Sequence, residues 1–113
     1  MANSFVNKKA DLTSNSATTL YTVPSFSTAV IKSILVSEDS GNADTITVTI
    51  TDTSDNVFSL FKTKSISANA TTELLSAPLI AQESEVIKVT AATANRLHVV
   101  LSALEIKPID VTS

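Results

Sequence analysis

His98 is the only histidine in the sequence, and it stands inside the apolar run LHVVL. A serine or threonine nucleophile needs such a base within hydrogen-bond reach, so any hydrolytic chemistry here would have to pass through that one residue. Its apolar neighbours favour a strand histidine at a layer edge or a subunit interface, where titration near neutrality would make assembly sensitive to pH. The carboxylates gather in polar stretches: Glu38, Asp39 and Asp44 in SEDSGNAD, Asp52 and Asp55 in DTSDN. The first stretch is rich in oxygen donors but lacks the ligand series and closing bidentate glutamate of an EF-hand, and it reads as a solvated turn. Glu83 and Glu85 flank the start of a strand, and Glu105 either pairs with a lysine or lies on an exposed rim. The absence of cysteine excludes disulfides, zinc–thiolate sites and thiol nucleophiles together. No catalytic residue, metal ligand or cofactor site is assigned, and the chain is expected not to be an enzyme.

Binding chemistry is restricted as well. A single glycine leaves no phosphate-cradling loop. One arginine, 4% aromatic residues and a net charge of −3 argue against a nucleic-acid partner. Without tryptophan and with one tyrosine, the stacking platform of a sugar-binding module is poorly supplied. No apolar run is long enough to span a membrane. The N-terminal MANSFVNKKADLTSNS has no signal-type apolar core, so the chain is expected to be made and kept in a cytoplasm.

What could position a surface, if not an active site, is a set of strands. In TITVTIT (45–51) Ile46, Val48 and Ile50 share one face, and four threonines take the other. A period of two means a strand with one dry and one half-wet face. ATTLYTVP (17–24) puts Leu20 opposite Tyr21 and Val23 and stops at a proline. TAVIKSILVS (28–37) is apolar on both sides, with Val30, Ile34 and Val36 against Ile31 and Leu35. NVFSLFKT, ELLSAPL and EVIKVTAA alternate in the same way, and RLHVVLSALEI (96–106) is again two-sided. Helical spacing is best met near 97–105, but the valines and the alternation favour strand there. Polar clusters at 37–44, 52–56, 67–72 and 93–95 separate these runs. With one glycine for all these turns, Asn42, Asn56, Asn69 and Asn95 are the expected left-handed residues.

A length of 113 residues, 43% hydrophobic and 17% charged, makes one globular domain with one modest core. The expected fold is all-β: a single-domain antiparallel β-sandwich or jelly-roll-like barrel of about seven or eight short strands. The expected organisation is a polar N-terminal arm over 1–16, the sandwich over 17–107 and a short tail over 108–113. Strands apolar on both faces lie between two layers or in a subunit seam.

Several segments in order carry a resemblance: LYTVP (20–24), TAVIKSILVSEDSG (28–41), TITVTITDTS (45–54), SISANATTELLSAPLIAQESEVIKVTA (65–91) and LSALEI (101–106). Together they resemble the small β-sandwich virion proteins of tailed bacteriophages over roughly residues 17–106. One departure is Gln82-Glu83-Ser84-Glu85, where such proteins often carry a glycine-containing turn. The resemblance implies a structural role in a virion, foremost as a capsid cement or decoration protein that stabilises the assembled shell. Its partners would be the major capsid protein or other virion subunits, with homo-oligomers, trimers included, in the same particle. Head–tail connector, neck or tail components are the alternative within that reading. A receptor- or glycan-binding module on a fibre is the alternative outside it, with Phe26 in PSFST as the exposed tip. The candidate interface residues are Phe5, Val6 and Leu12 in the arm, with Ile31, Leu35, His98 and Val100 in the two-sided strands.

Overall fold

The structure, a computed structural model, describes residues 2–107. Nine strands and no helix occur among them. They are β1 (Ala2–Asp11), β2 (Thr18–Thr22), β3 (Thr28–Glu38), β4 (Asp44–Thr51), β5 (Val57–Ile66), β6 (Thr71–Glu73), β7 (Leu79–Ala81), β8 (Val86–Ala91) and β9 (Leu97–Lys107). Sheet A runs β1-β9-β3, with β6 and β7 following one another along the far edge of β3. Sheet B runs β2-β8-β4-β5. Every pair is antiparallel, and the two sheets enclose one core, so the chain is an all-β sandwich.

The dry positions of β2 and β3 follow from alternation interrupted by a bulge in each, and the β4–β5 pairing slips at two more places. In β4, Ile46 and Val48 are buried, and in β8 Ile87, Val89 and Ala91, each two residues from the next. In β3 the pairing with β9 slips between Ile31 and Ser33. The extra residue, Lys32, reverses the phase, so Ala29 and Ile31 before it and Ile34 and Val36 after it all point inward. A second slip, between Thr19 and Tyr21, turns Leu20 and Tyr21 into the core together. The expected opposition of Leu20 to Tyr21, and of Ile31 to Ile34, fails for this reason. A bulge adds one residue without a partner and thereby undoes a count by twos.

The expected arm over 1–16 differs most from the structure. Ala2–Asp11 is the edge strand of sheet A, in register with β9 from Ala2↔Lys107 to Asp11↔His98. Leu12 follows it into the core, 1% exposed, with its amide on the Leu97 carbonyl and its own carbonyl accepting from Asn95 N. The boundary at residue 16 therefore divides nothing, because this segment belongs to the sandwich. The tail expected over 108–113 lies outside the described residues.

Carboxylates close the ends. Glu38, 2% exposed, accepts from the amides of Ser40, Gly41 and Asn69 and from the Ser40 hydroxyl, which ties β3 to two turns. Burial alone would raise its pKa, but these donors outweigh burial and hold the carboxyl down at about 2. Glu73 does similar work at the β3–β6 junction, accepting from Ser33 Oγ and from the amides of Ile34 and Leu75. Its pKa too is lowered, against the opposing effect of burial. At the other end, Tyr21 of sheet B donates to Glu105 Oε2 of sheet A at 2.6 Å. Glu105 thus pairs with a phenol rather than a lysine or open water. Burial, and then this hydrogen bond and the neighbouring negative charge, push the Tyr21 phenol well above its ordinary value.

The turns are made largely without glycine. Asn69 and Asn95 do take positive φ, as does Gly41, but Asn42 and Asn56 do not. Phe26, Asp55, Thr63 and Ser84 carry the remaining left-handed positions. Ser84 is the third residue of a turn closed by Glu85 N on the Gln82 carbonyl, the place where a type II turn favours glycine. Serine therefore stands in for the glycine whose absence was noted in the sequence.

Candidate interaction surface

Residues paired across antiparallel strands share a face, so the register maps the outside of sheet A. One row crosses all four strands: Phe5 of β1, Leu104 of β9, Val30 of β3 and Ile80 of β7. Phe5 is 78% exposed and Ile80 50%, while Leu104 and Val30 between them are half-buried. On one side of this row lie Asn3, Ile106 and Thr28. Two rows away on the other side come Lys9, Val100, Leu35 and Glu73, with Leu35 38% exposed. Asn7 and Ser102 separate the two apolar rows, next to Ser33 and the exposed bulge residue Lys32. The last row is Asp11, His98, Ser37 and Thr71.

The outside of sheet B is richer in hydroxyls. There Thr47 lies across from Thr90, Thr49 from Lys88 and Thr51 from Val86, all half-buried positions. Both sheets give one face to the shared core, and sheet B covers most of its other face with hydroxyls, with Val86 and the exposed Val57 flanking Thr51 as the apolar exceptions. Burying sheet A's outer apolar side chains in a partner would be favourable by about 25 cal/mol per Å2 of apolar surface removed from water.

The candidate interface residues divide accordingly. Phe5, Leu35, Val100 and His98 lie on the outer face of sheet A. Val6 turns inward and lies half-buried against the core. Leu12 and Ile31 are enclosed in the core, 1% and 0% exposed, and no partner can reach them. Val30, Ile80, Leu104 and Ile106 belong to the surface but were not among the candidates. For Val30, Leu104 and Ile106 the signal was present in the two-sided strands, since a two-layer fold covers only one side of each sheet, whereas Ile80 lies in the short β7, outside those stretches.

His98 does not assemble a catalytic site. Its Nε2 lies 3.1 Å from Asp11 Oδ1 and its Nδ1 3.6 Å from Asp39 Oδ1, so both ring nitrogens face carboxylates. A general base needs one nitrogen free for the nucleophile's proton. Asp44 and Arg96 line an open groove of about 420 Å3, but the Asp44 carboxylate accepts from Thr93 N and the Arg96 guanidinium donates to the Ala43 carbonyl. Asp52 is taken up by its own hairpin, where the Asn56 and Ser54 amides and the Asn56 side chain hold its pKa down against burial. Among the described residues, no three of His, Asp and Glu are grouped to hold a metal ion. A smaller groove of about 250 Å3, lined by Leu60, Phe61, Leu74, Leu75, Pro78 and Leu79, runs where β5 faces the β6–β7 connection. Phe26, 79% exposed, caps the β2–β3 loop with its amide donated to Glu83 Oε2, and it lines neither groove.

No protein family, curated protein or solved structure matches this chain.

Proposed function

We propose that this chain is a structural subunit of a virus particle of the tailed-bacteriophage kind, a cement or decoration protein on the assembled shell. It acts by adhesion and not by catalysis. The observation that carries this reading is the row Phe5–Leu104–Val30–Ile80 on the outside of sheet A. An apolar stripe across a whole sheet, rimmed by charged and polar side chains, marks a surface meant to be covered. The sequence segments that resemble virion proteins supply the setting, and they fall on β2, β3, β4, β6, β7, β8 and β9, in both sheets. Its mechanism is mass action: a protein that binds the assembled shell, and not its separated parts, stabilises the assembly.

The test is to count copies of this protein per purified particle by quantitative mass spectrometry against the major shell protein. Hundreds of copies are expected for a cement. A handful would move the protein to the neck or tail, and none would remove the virion reading altogether.

A further inference from the structure

We infer that the outer face of sheet A mates with the same face of a second copy of this chain, about a two-fold axis parallel to the strands between β9 and β3. This rests on reading that face as a subunit surface; it names a second copy of the chain as the partner that covers it, and leaves contact with the shell to the other surfaces of the pair.

Sheet A is four columns wide: β1, β9, β3, and then β7 and β6 sharing the fourth. A two-fold axis along its midline keeps every row level and exchanges the outer columns and the inner columns. Phe5 then meets the second copy's Ile80, and Leu104 meets its Val30, so the apolar row lies on itself. In the Lys9 row, Val100 meets Leu35 and Lys9 meets Glu73, giving two opposite-charge pairs related by the axis. The Glu73 carboxylate is already oriented by Ser33 and two backbone amides, so this charge is held in place. Ser102 meets the bulge at Lys32 and Ser33, His98 meets Ser37, and Asp11 meets Thr71, so no like charges are brought together. Aligned sheets cross at about 30°, which displaces the outer columns by roughly one residue, within the reach of these side chains. The alternative in-plane axis, perpendicular to the strands, would set the Phe5 row against the Lys9 row. Lys9 would then lie on Phe5, and Glu73 on Ile80, with no charge partner for either.

The area agrees with a real but modest association. Four strands about 4.8 Å apart, over eight residues at about 3.4 Å, give a flat footprint of roughly 500 Å2 per copy. Side-chain relief raises this toward the ~800 Å2 per partner of a standard interface, so a reversible dimer is expected.

The chain's lack of cysteine makes the geometry directly testable. Phe5 and Ile80 are three strand spacings apart in one copy, about 14 Å, beyond disulfide reach. In a Phe5→Cys/Ile80→Cys double variant of the full chain, oxidation is expected to produce disulfide-linked dimers. Phe5→Cys alone and Ile80→Cys alone should stay monomeric on a denaturing gel. In parallel, sedimentation velocity on the unmodified protein at up to about 1 mM should show a reversible dimer, as a small interface demands. Phe5→Asp should raise its dissociation constant at least tenfold and leave the thermal midpoint unchanged, because the side chain is already exposed. Linking by Phe5→Cys alone as readily as by the pair would overturn the two-fold arrangement. A monomer at every concentration, or a dimer indifferent to Phe5→Asp, would overturn the inference itself. Neither result touches the copy count per particle, so a shell protein that covers this face instead would leave the virion reading standing.

Discussion

Tyr21→Phe isolates a single contact between the two sheets. The ring is 2% exposed and keeps its place in the core, so the variant loses only the hydroxyl that donates to Glu105 at 2.6 Å. A hydrogen bond to a charged group contributes about 1.5–3 kcal/mol. Glu105 is half-buried, and water can partly replace the phenol, so the loss belongs at the lower end, about 1.5 kcal/mol. For 113 residues the unfolding entropy is about 0.24 kcal/mol/K, and the midpoint should therefore fall by roughly 6 °C. The same contact sets an alkaline limit. The phenol pKa is raised in the folded state, so its contribution is complete below the ordinary value of 10.0 and erodes as pH climbs above it. Thermal unfolding of both proteins from pH 7 to 11 reads both effects. The unmodified protein should lose its advantage over Tyr21→Phe above pH 10. A shift under about 1 °C at pH 7 would show that the inter-sheet bond carries no stability, and parallel curves through the alkaline range would refute its link to the phenol's ionisation.

Two further outcomes follow from the described contacts. Leu12→Ala should cost about 2–5 kcal/mol in urea unfolding, as expected for a core leucine and not for a residue of a loose arm. Glu38→Gln should remove an acid-sensitive part of the stability. The carboxyl is held at about 2 against an ordinary 4.5, so its contribution is full above pH 4.5 and is lost as pH falls toward 2. Midpoints of the two proteins, separated at pH 7, should converge between those values.

The strands most legible in the sequence were those whose alternation runs unbroken, such as β4 and β8. β9 was also read correctly, because branched residues in a period of two outweighed its partial helical spacing. β1 was missed for a physical reason. As an edge strand under little of the opposite sheet, it sends Ser4, Val6, Lys8 and Ala10 to the inner side and Phe5 and Lys9 to the outer. An inward lysine on an edge strand blunts the open edge against further pairing, and it also erases the apolar signal. The bulges at Lys32 and Leu20 were equally hidden, since nothing in the residue types announces a skipped partner. Of the candidate surface, Phe5, Leu35, Val100 and His98 could be named from two-sided strands. Leu12 and Ile31 could not be told apart from them, because which side of a strand is covered depends on the opposite sheet. The roles of Glu38 and Glu73 were not legible either, as their donors are mostly backbone amides, which every sequence contains.

The strand order of sheet A also governs when the fold can come into being. β9, the last of the nine in sequence, lies between β1 and β3, and it joins residue 2 to residue 107. Among the described residues only β4 and β5 form a hairpin of consecutive strands. During synthesis, then, one hairpin of sheet B can close early, while β1, and the β9 side of β3, must wait for residues 97–107 to emerge. Such distant pairings make for slow folding, on the scale of milliseconds to seconds, and leave apolar strands open in the interval. A ribosome stalled before residue 97 would release not a smaller sandwich but a chain whose sheet A is reduced to β3 with the short β6 and β7, and whose β1 has no partner strand.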